Sequence, residues 1–321
     1  MKRILHLGLV LAAALAAAGG ATFAADGTPR YEYNLADFTG PVPFMGVRVR
    51  LDAAREEAFI LSEGYLRVFG STGMETYSLP LDPEVGTIYD VTVDETGDIY
   101  FLAYPTVRRP EGGDFYLLRC DYRGIPLESL QPAGIPEPLR GFSPSTLVYA
   151  GGKFYLAASN RLQVLVLNKR AGLERVNDFT SALPEDKEIR KNADFAGLAV
   201  DAQGNVIVSV PIDFGVYVMA PDGAVRRFGE AGSRPGTFNI AGAVAADAAG
   251  NIYVADLLRS SVMVFDRNHQ FVTEFGGYGT AEGQMVKPAD LAVSNAGRLY
   301  VSQMRNRGVA VFTLPPAGDQ G

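Results

Sequence analysis

The chain has 321 residues, of which 36 are acidic and 29 are lysine or arginine, giving a net charge of −7. That balance argues against nucleic acid and anionic lipid as partners. A single cysteine, Cys120, excludes an intramolecular disulfide, and two histidines with no tryptophan narrow the site chemistry further.

The first 25 residues read as a secretory leader. Met1-Lys2-Arg3 is a basic start, Ile4 to Ala18 is apolar, and Ala21 to Ala25 offers small residues for cleavage. The apolar run is short of the roughly 20 residues a membrane span needs, so cleavage is expected, with a periplasmic or secreted product. Removing this segment takes away Lys2 and Arg3 and no acid, so the mature chain is more acidic still.

From Tyr31 to Phe38 runs an isolated strand ending Phe38-Thr39-Gly40, which matches the Phe-Gly endings at Phe228-Gly229 and Phe275-Gly276. A phrase then recurs: a short apolar strand, a turn built on glycine, and an aromatic or branched strand. It is clearest at Gly197–Val208, Gly242–Val254 and Asp290–Val301, looser at Asp90–Phe101, and weakest at Ser145–Leu156 and Arg48–Phe59. The turns begin at Asp52, Asp94, Tyr149, Asp201, Asp247 and Ser294, close to the spacing of a four-stranded propeller blade, about 40–50 residues. The two longer intervals hold the insertions Tyr104–Phe115 and Asn168–Asp194, the second carrying a charged stretch, Pro184–Lys191, compatible with a short helix. Within a unit the strands are named a to d. After Pro288 only three strands remain, so Tyr31–Phe38 is expected to supply the fourth.

The expected fold is all-β: a six-bladed β-propeller of four-stranded antiparallel blades over 26–315, its ring closed by the N-terminal strand in the last blade. Residues 316–321 read as a disordered tail. The chain resembles NHL-repeat six-bladed propellers of the exported bacterial type. The resemblance rests on Gly197-Leu-Ala-Val-Asp-Ala-Gln-Gly-Asn205 and Asp247-Ala-Ala-Gly-Asn-Ile-Tyr-Val-Ala-Asp256, with the Asn-Arg pairs at Asn160-Arg161 and Asn306-Arg307. It covers the mature chain, strongly from Phe195 onward, and speaks for fold more than for function.

Few residues suit catalysis. His269, the one histidine left after leader removal, falls in a c–d turn and reads as solvated. It cannot build the several-histidine zinc site that the resemblance implies for amidating lyases of this type. A lactonase-type calcium cluster could draw on Glu63, Asn160 and Asp256, but no motif ties them together. The Asp-x-x-Gly turns each supply about one carboxylate, whereas calcium takes six to eight oxygens. No cofactor is expected, and Cys120 reads as a buried strand residue.

Two features stand out. Arg48, Asp90 and Asp290 start strand a in three blades that become consecutive once the ring closes, so they are expected to meet at the channel mouth. Arg108, Arg109, Arg259 and Arg305 lie in b–c loops and make a locally basic face on an acidic chain, suited to a protein or an anionic glycan. The residues favour an exported, non-catalytic binding or scaffold module of the cell envelope. A metal-dependent hydrolase of the lactonase class and a docking partner of exported redox proteins are the alternatives.

Overall fold

A computed structural model describes residues 28–62, 64–106, 114–158 and 161–315. The expected leader and tail lie outside these residues, as do Glu63, Arg108, Arg109 and Asn160.

Twenty-four strands form six four-stranded antiparallel sheets, arranged as the blades of a propeller. Blade 1 is Arg48–Asp52, Glu57–Ser62, Tyr65–Phe69 and Glu75–Pro80. Blade 2 is Thr87–Val93, Ile99–Tyr104, Tyr116–Cys120 and Pro126–Leu130; blade 3 is Thr146–Ala150, Lys153–Ala157, Gln163–Asn168 and Leu173–Asp178. Blade 4 is Gly197–Val200, Val206–Val210, Gly215–Met219 and Val225–Phe228; blade 5 is Ala241–Ala246, Ile252–Asp256, Ser261–Phe265 and Phe271–Gly276. Blade 6 takes strands a to c from Pro288–Val293, Arg298–Gln303 and Val309–Thr313, and strand d from Arg30–Asn34.

The sheets stand face to face, so strands b and c are covered on both sides and read as continuous apolar runs. Val206–Val210 and Ser261–Phe265 are buried at every position, while strands d alternate toward solvent. Six apolar clusters result, one between each pair of adjacent blades. Each large side chain in them contributes about 1.5–3 kcal/mol by leaving water, so the ring is held together by its blade interfaces.

The a–b turns explain the recurring phrase. Asp94, Asp201 and Asp247 each accept two backbone N–H bonds from their own turn, at 2.8–3.1 Å, and Gly97, Gly204 and Gly250 adopt positive φ there. These carboxylates are occupied by turn geometry. In blade 3 the turn is tighter than the phrase implies: Tyr149 remains in strand a, and Gly151-Gly152 makes the reversal. The charged insertion does carry a helix, Lys187–Asn192, with Asp186 accepting from the N–H groups of Glu188 and Ile189.

Ring closure pairs Arg30 with Thr313, Tyr31 with Phe312, Tyr33 with Val311 and Asn34 with Ala310. The closing strand is shorter than the expected Tyr31–Phe38. The chain must turn away after Leu35 to reach blade 1, and it does so in a small hairpin, Ala36–Asp37 with Gly40–Pro41. Phe38 sits at that tip and is 96% exposed, unlike Phe228 and Phe275, the buried ends of other strands d that its sequence had suggested it would match.

Candidate binding face and channel mouth

Strands a line the channel. Asp90 and Asp290 meet an arginine there, and the arginine is Arg50 instead of Arg48. Arg50 Nη2 lies 2.5 Å from Asp90 Oδ2 and Nη1 lies 2.9 Å from Asp290 Oδ2. The carboxylates are positioned by backbone: Asp290 Oδ2 accepts the Val49 N–H at 2.9 Å and Asp90 Oδ2 accepts the Leu147 N–H at 2.8 Å. Both anchors sit one or more residues deeper than the strand starts, so the guanidinium that reaches both acids is the deeper one. Arg48 overshoots, its Nη2 lying 3.4 Å from the Thr146 hydroxyl. Arg50 also donates to the Val49 and Leu147 carbonyls, at 2.8 and 3.2 Å. Burial alone would lower the Arg50 pKa, but the two carboxylates outweigh it and leave the pKa raised, so the charge is permanent. The network links blades 6, 1, 2 and 3.

The b–c loops share one face with the d–a connections. Gly46 donates to the Gln303 carbonyl, Gly308 to Phe44 and Leu257 to Ile240, at 2.9–3.1 Å. On this face Arg259 is not free: Nε and Nη2 bind Glu274 at 2.9 and 2.6 Å, and Nη1 reaches the Arg234 and Thr237 carbonyls. Its place beside the strand-d acid Glu274 was invisible in a loop-by-loop reading. Arg305 is exposed, in left-handed backbone with φ 58°. Asp256 is fully buried and accepts N–H bonds from Asn239, Leu258 and Arg259 at 2.7–3.0 Å, so it latches the incoming loop. Among the described residues no three His, Cys, Asp or Glu side chains gather in a way that could hold a metal ion.

What the sequence reading missed on this face is apolar. Met45, Tyr65, Tyr89, Leu258 and Tyr278 are all solvent-exposed, Met45 and Leu258 at 60% and 61%. All but Tyr89 lie in or at the edge of b–c or d–a connections. Tyr89 bulges out at the start of strand a in blade 2, edge-on to Tyr104 at 4.9 Å.

His269 is not simply solvated. Its ring stacks on Phe228 at 4.9 Å and 21°, and burial, then Arg226, lower its pKa below the usual histidine value. Cys120 is 1% exposed, and burial pushes its thiol up to about 11. Thiol reagents at pH 8 are therefore expected to leave the folded protein unlabelled and to react once denaturant is added; fast labelling of the native chain would contradict this placement.

No family model matches the chain. Over 75 residues, 23% of the chain, it is 39% identical to RING finger protein nhl-1 of Caenorhabditis elegans, of which that stretch is 8%. Among solved structures it is similar to a streptogramin B lyase, with a TM-score of 0.60 and 12% identity over 91% of this chain and all of that one. It is also similar to a catalytically inactive histidine variant of virginiamycin B lyase from Staphylococcus aureus with quinupristin, with a TM-score of 0.53 and 12% identity over 86% of this chain and 83% of that one. At these identities the likeness establishes the six-bladed propeller architecture.

Proposed function

We propose that the chain is an exported NHL-type propeller that binds a protein partner of the cell envelope through its b–c and d–a loop face. The observation that carries this reading is the set of exposed apolar side chains on that face, Met45, Tyr65, Tyr89, Leu258 and Tyr278, beside the exposed Arg305. Aromatic residues, methionine and arginine are the types enriched in protein interfaces, and single exposed apolar residues become informative when they share one side.

The second reading, a lyase, draws on the fold likeness to the streptogramin lyases. In one of those enzymes a histidine variant is catalytically inactive. Here His269 lies in the c–d turn of blade 5, on the outer rim against Phe228 and away from the channel. The channel acids Asp90 and Asp290 are already held by Arg50 and backbone N–H groups. Both points favour binding over catalysis.

The test is to capture the partner on the mature protein, identify it, and rebind it purified. Tyr65→Ser with Leu258→Ser is expected to weaken rebinding about 100-fold, as loss of two central anchors would. Unchanged affinity would reject this face, and turnover of a streptogramin or lactone by the wild-type protein would favour the enzyme.

A further inference from the structure

A chain segment entering a blade can run past that blade's c–d turn. At two junctions the passing chain pairs with the turn. Entering blade 1, Ala36 donates its N–H to the Gly73 carbonyl at 2.9 Å and bridges Met74 in parallel. Entering blade 3, Ala133 donates to the Ala171 carbonyl at 3.0 Å, and Leu173 donates to the Ala133 carbonyl at 2.9 Å. The accepting residues, Gly73 and Ala171, have φ of 79° and 60°.

Blade 5 has the same turn. His269 has φ 64°, donates to Asp266, and follows the pattern that Ala171 makes with Asn168. By correspondence with Ala171 and Leu173, the His269 carbonyl and the Phe271 N–H form the pairing edge. Among the described residues no segment bridges that edge. The chain entering blade 5 instead folds on itself, with Ala231 bridged to Phe238, Gly232 donating to the Phe238 carbonyl and Phe238 donating to Glu230. A hollow of about 750 Å³ is left between blades 4 and 5, walled by Phe228, Phe265, Phe271 and His269, with Glu230 and Arg234 at its rim.

Exposed arginines stand near the hollow, interspersed with Glu230, Asp201 and Asp266. Arg234 is 84% exposed, with only a 3.5 Å contact to the exposed Glu230. Arg226 and Arg267 stand beside His269 in sequence or space, exposed and without an ion pair among the described residues. The fold's own filler shows what suits such an edge: in Leu35-Ala36-Asp37 a small residue makes the bridge, and the next residue, Asp37, pairs with Arg67 at 3.0 Å.

We propose that the hollow between blades 4 and 5 is a docking slot for a short, extended, acidic segment of a partner polypeptide. Its backbone pairs in parallel with the His269–Phe271 edge, and its carboxylate meets Arg234. This is strand addition at an open edge, in which main-chain bonds supply affinity and flanking charge supplies selectivity. The slot is built from the c–d turn of blade 5 and the d–a connection 229–237, so it adjoins the loop face at Arg234, but neither Tyr65 nor Leu258 lines it.

The probe is a labelled octapeptide with the sequence of residues 33–40, Tyr-Asn-Leu-Ala-Asp-Phe-Thr-Gly, titrated into the mature protein. Binding is expected with protection of residues 266–272 from hydrogen exchange. N-methylation of the peptide alanine, which removes the bridging donor, should weaken binding about tenfold or more, and so should Arg234→Glu, while Tyr65→Ser with Leu258→Ser should leave it unchanged. Arg234 is a surface residue, so its variant is expected to fold, and an unshifted melting curve checks that. No binding at millimolar peptide, no protection of 266–272, or equal affinity for the N-methyl peptide would overturn the slot.

Discussion

Arg50→Ala is expected to destabilise the propeller by about 3–5 kcal/mol, the scale set by removing one partner from a buried ion pair. Asp90 is fully buried, and the Asp290 side chain is 11% exposed. Without the guanidinium, two carboxylates would remain in one water-poor site, each held only by backbone N–H groups. The Leu147 and Val49 carbonyls would also lose a donor. Arg48→Ala, which removes a single long contact to Thr146, is expected to cost less than about 1 kcal/mol. Urea unfolding of the two variants decides between them. A larger loss for Arg48 than for Arg50 would mean that the network is centred elsewhere.

The other large effect concerns ring closure. A chain starting at residue 36 lacks the strand Arg30–Asn34 and the fully buried Leu35. Each lost backbone bond costs about 1 kcal/mol and Leu35 about 2, a sum comparable with the 5–15 kcal/mol that holds a whole domain folded. The exposed edge Val309–Thr313 would then invite pairing with a second copy. Gel filtration with light scattering is expected to show dimers or larger species, together with a much lower melting temperature. A peptide spanning residues 28–41, added in trans, should restore the monomer. A stable monomer without it would show that three strands suffice in blade 6.

The blades were legible because their signal is local. An Asp-x-x-Gly turn is written in consecutive residues, and the structure uses those side chains within the same turns. The closing strand was legible from a count of three strands after Pro288, but its end was not: the Phe-Gly resemblance at Phe38 concealed a hairpin that only the path to blade 1 requires. The channel cluster was half legible. Asp90 and Asp290 could be aligned by their distance from the turn, but bulges at Tyr89 and Ala289 shift those strands, while strand a of blade 1 pairs regularly. Arg48 and Arg50 share a strand face, so the choice between them depends on partners about 100 and 240 residues away. The rim hollow could not be read at all, because it arises from what the loop 229–238 fails to pair with.

Arg50 touches its own blade and three others: blade 2 through Asp90, blade 3 through the Leu147 carbonyl, and blade 6 through Asp290. A side chain that does so lies across the tunnel as a chord, and Arg48 lays a second chord to Thr146 nearer the opening. The strands a of four blades are therefore tied to one another across the ring. A peptide or small molecule entering from the loop face meets a crossbar whose charge is already matched by Asp90 and Asp290, so it offers fixed geometry more than free charge.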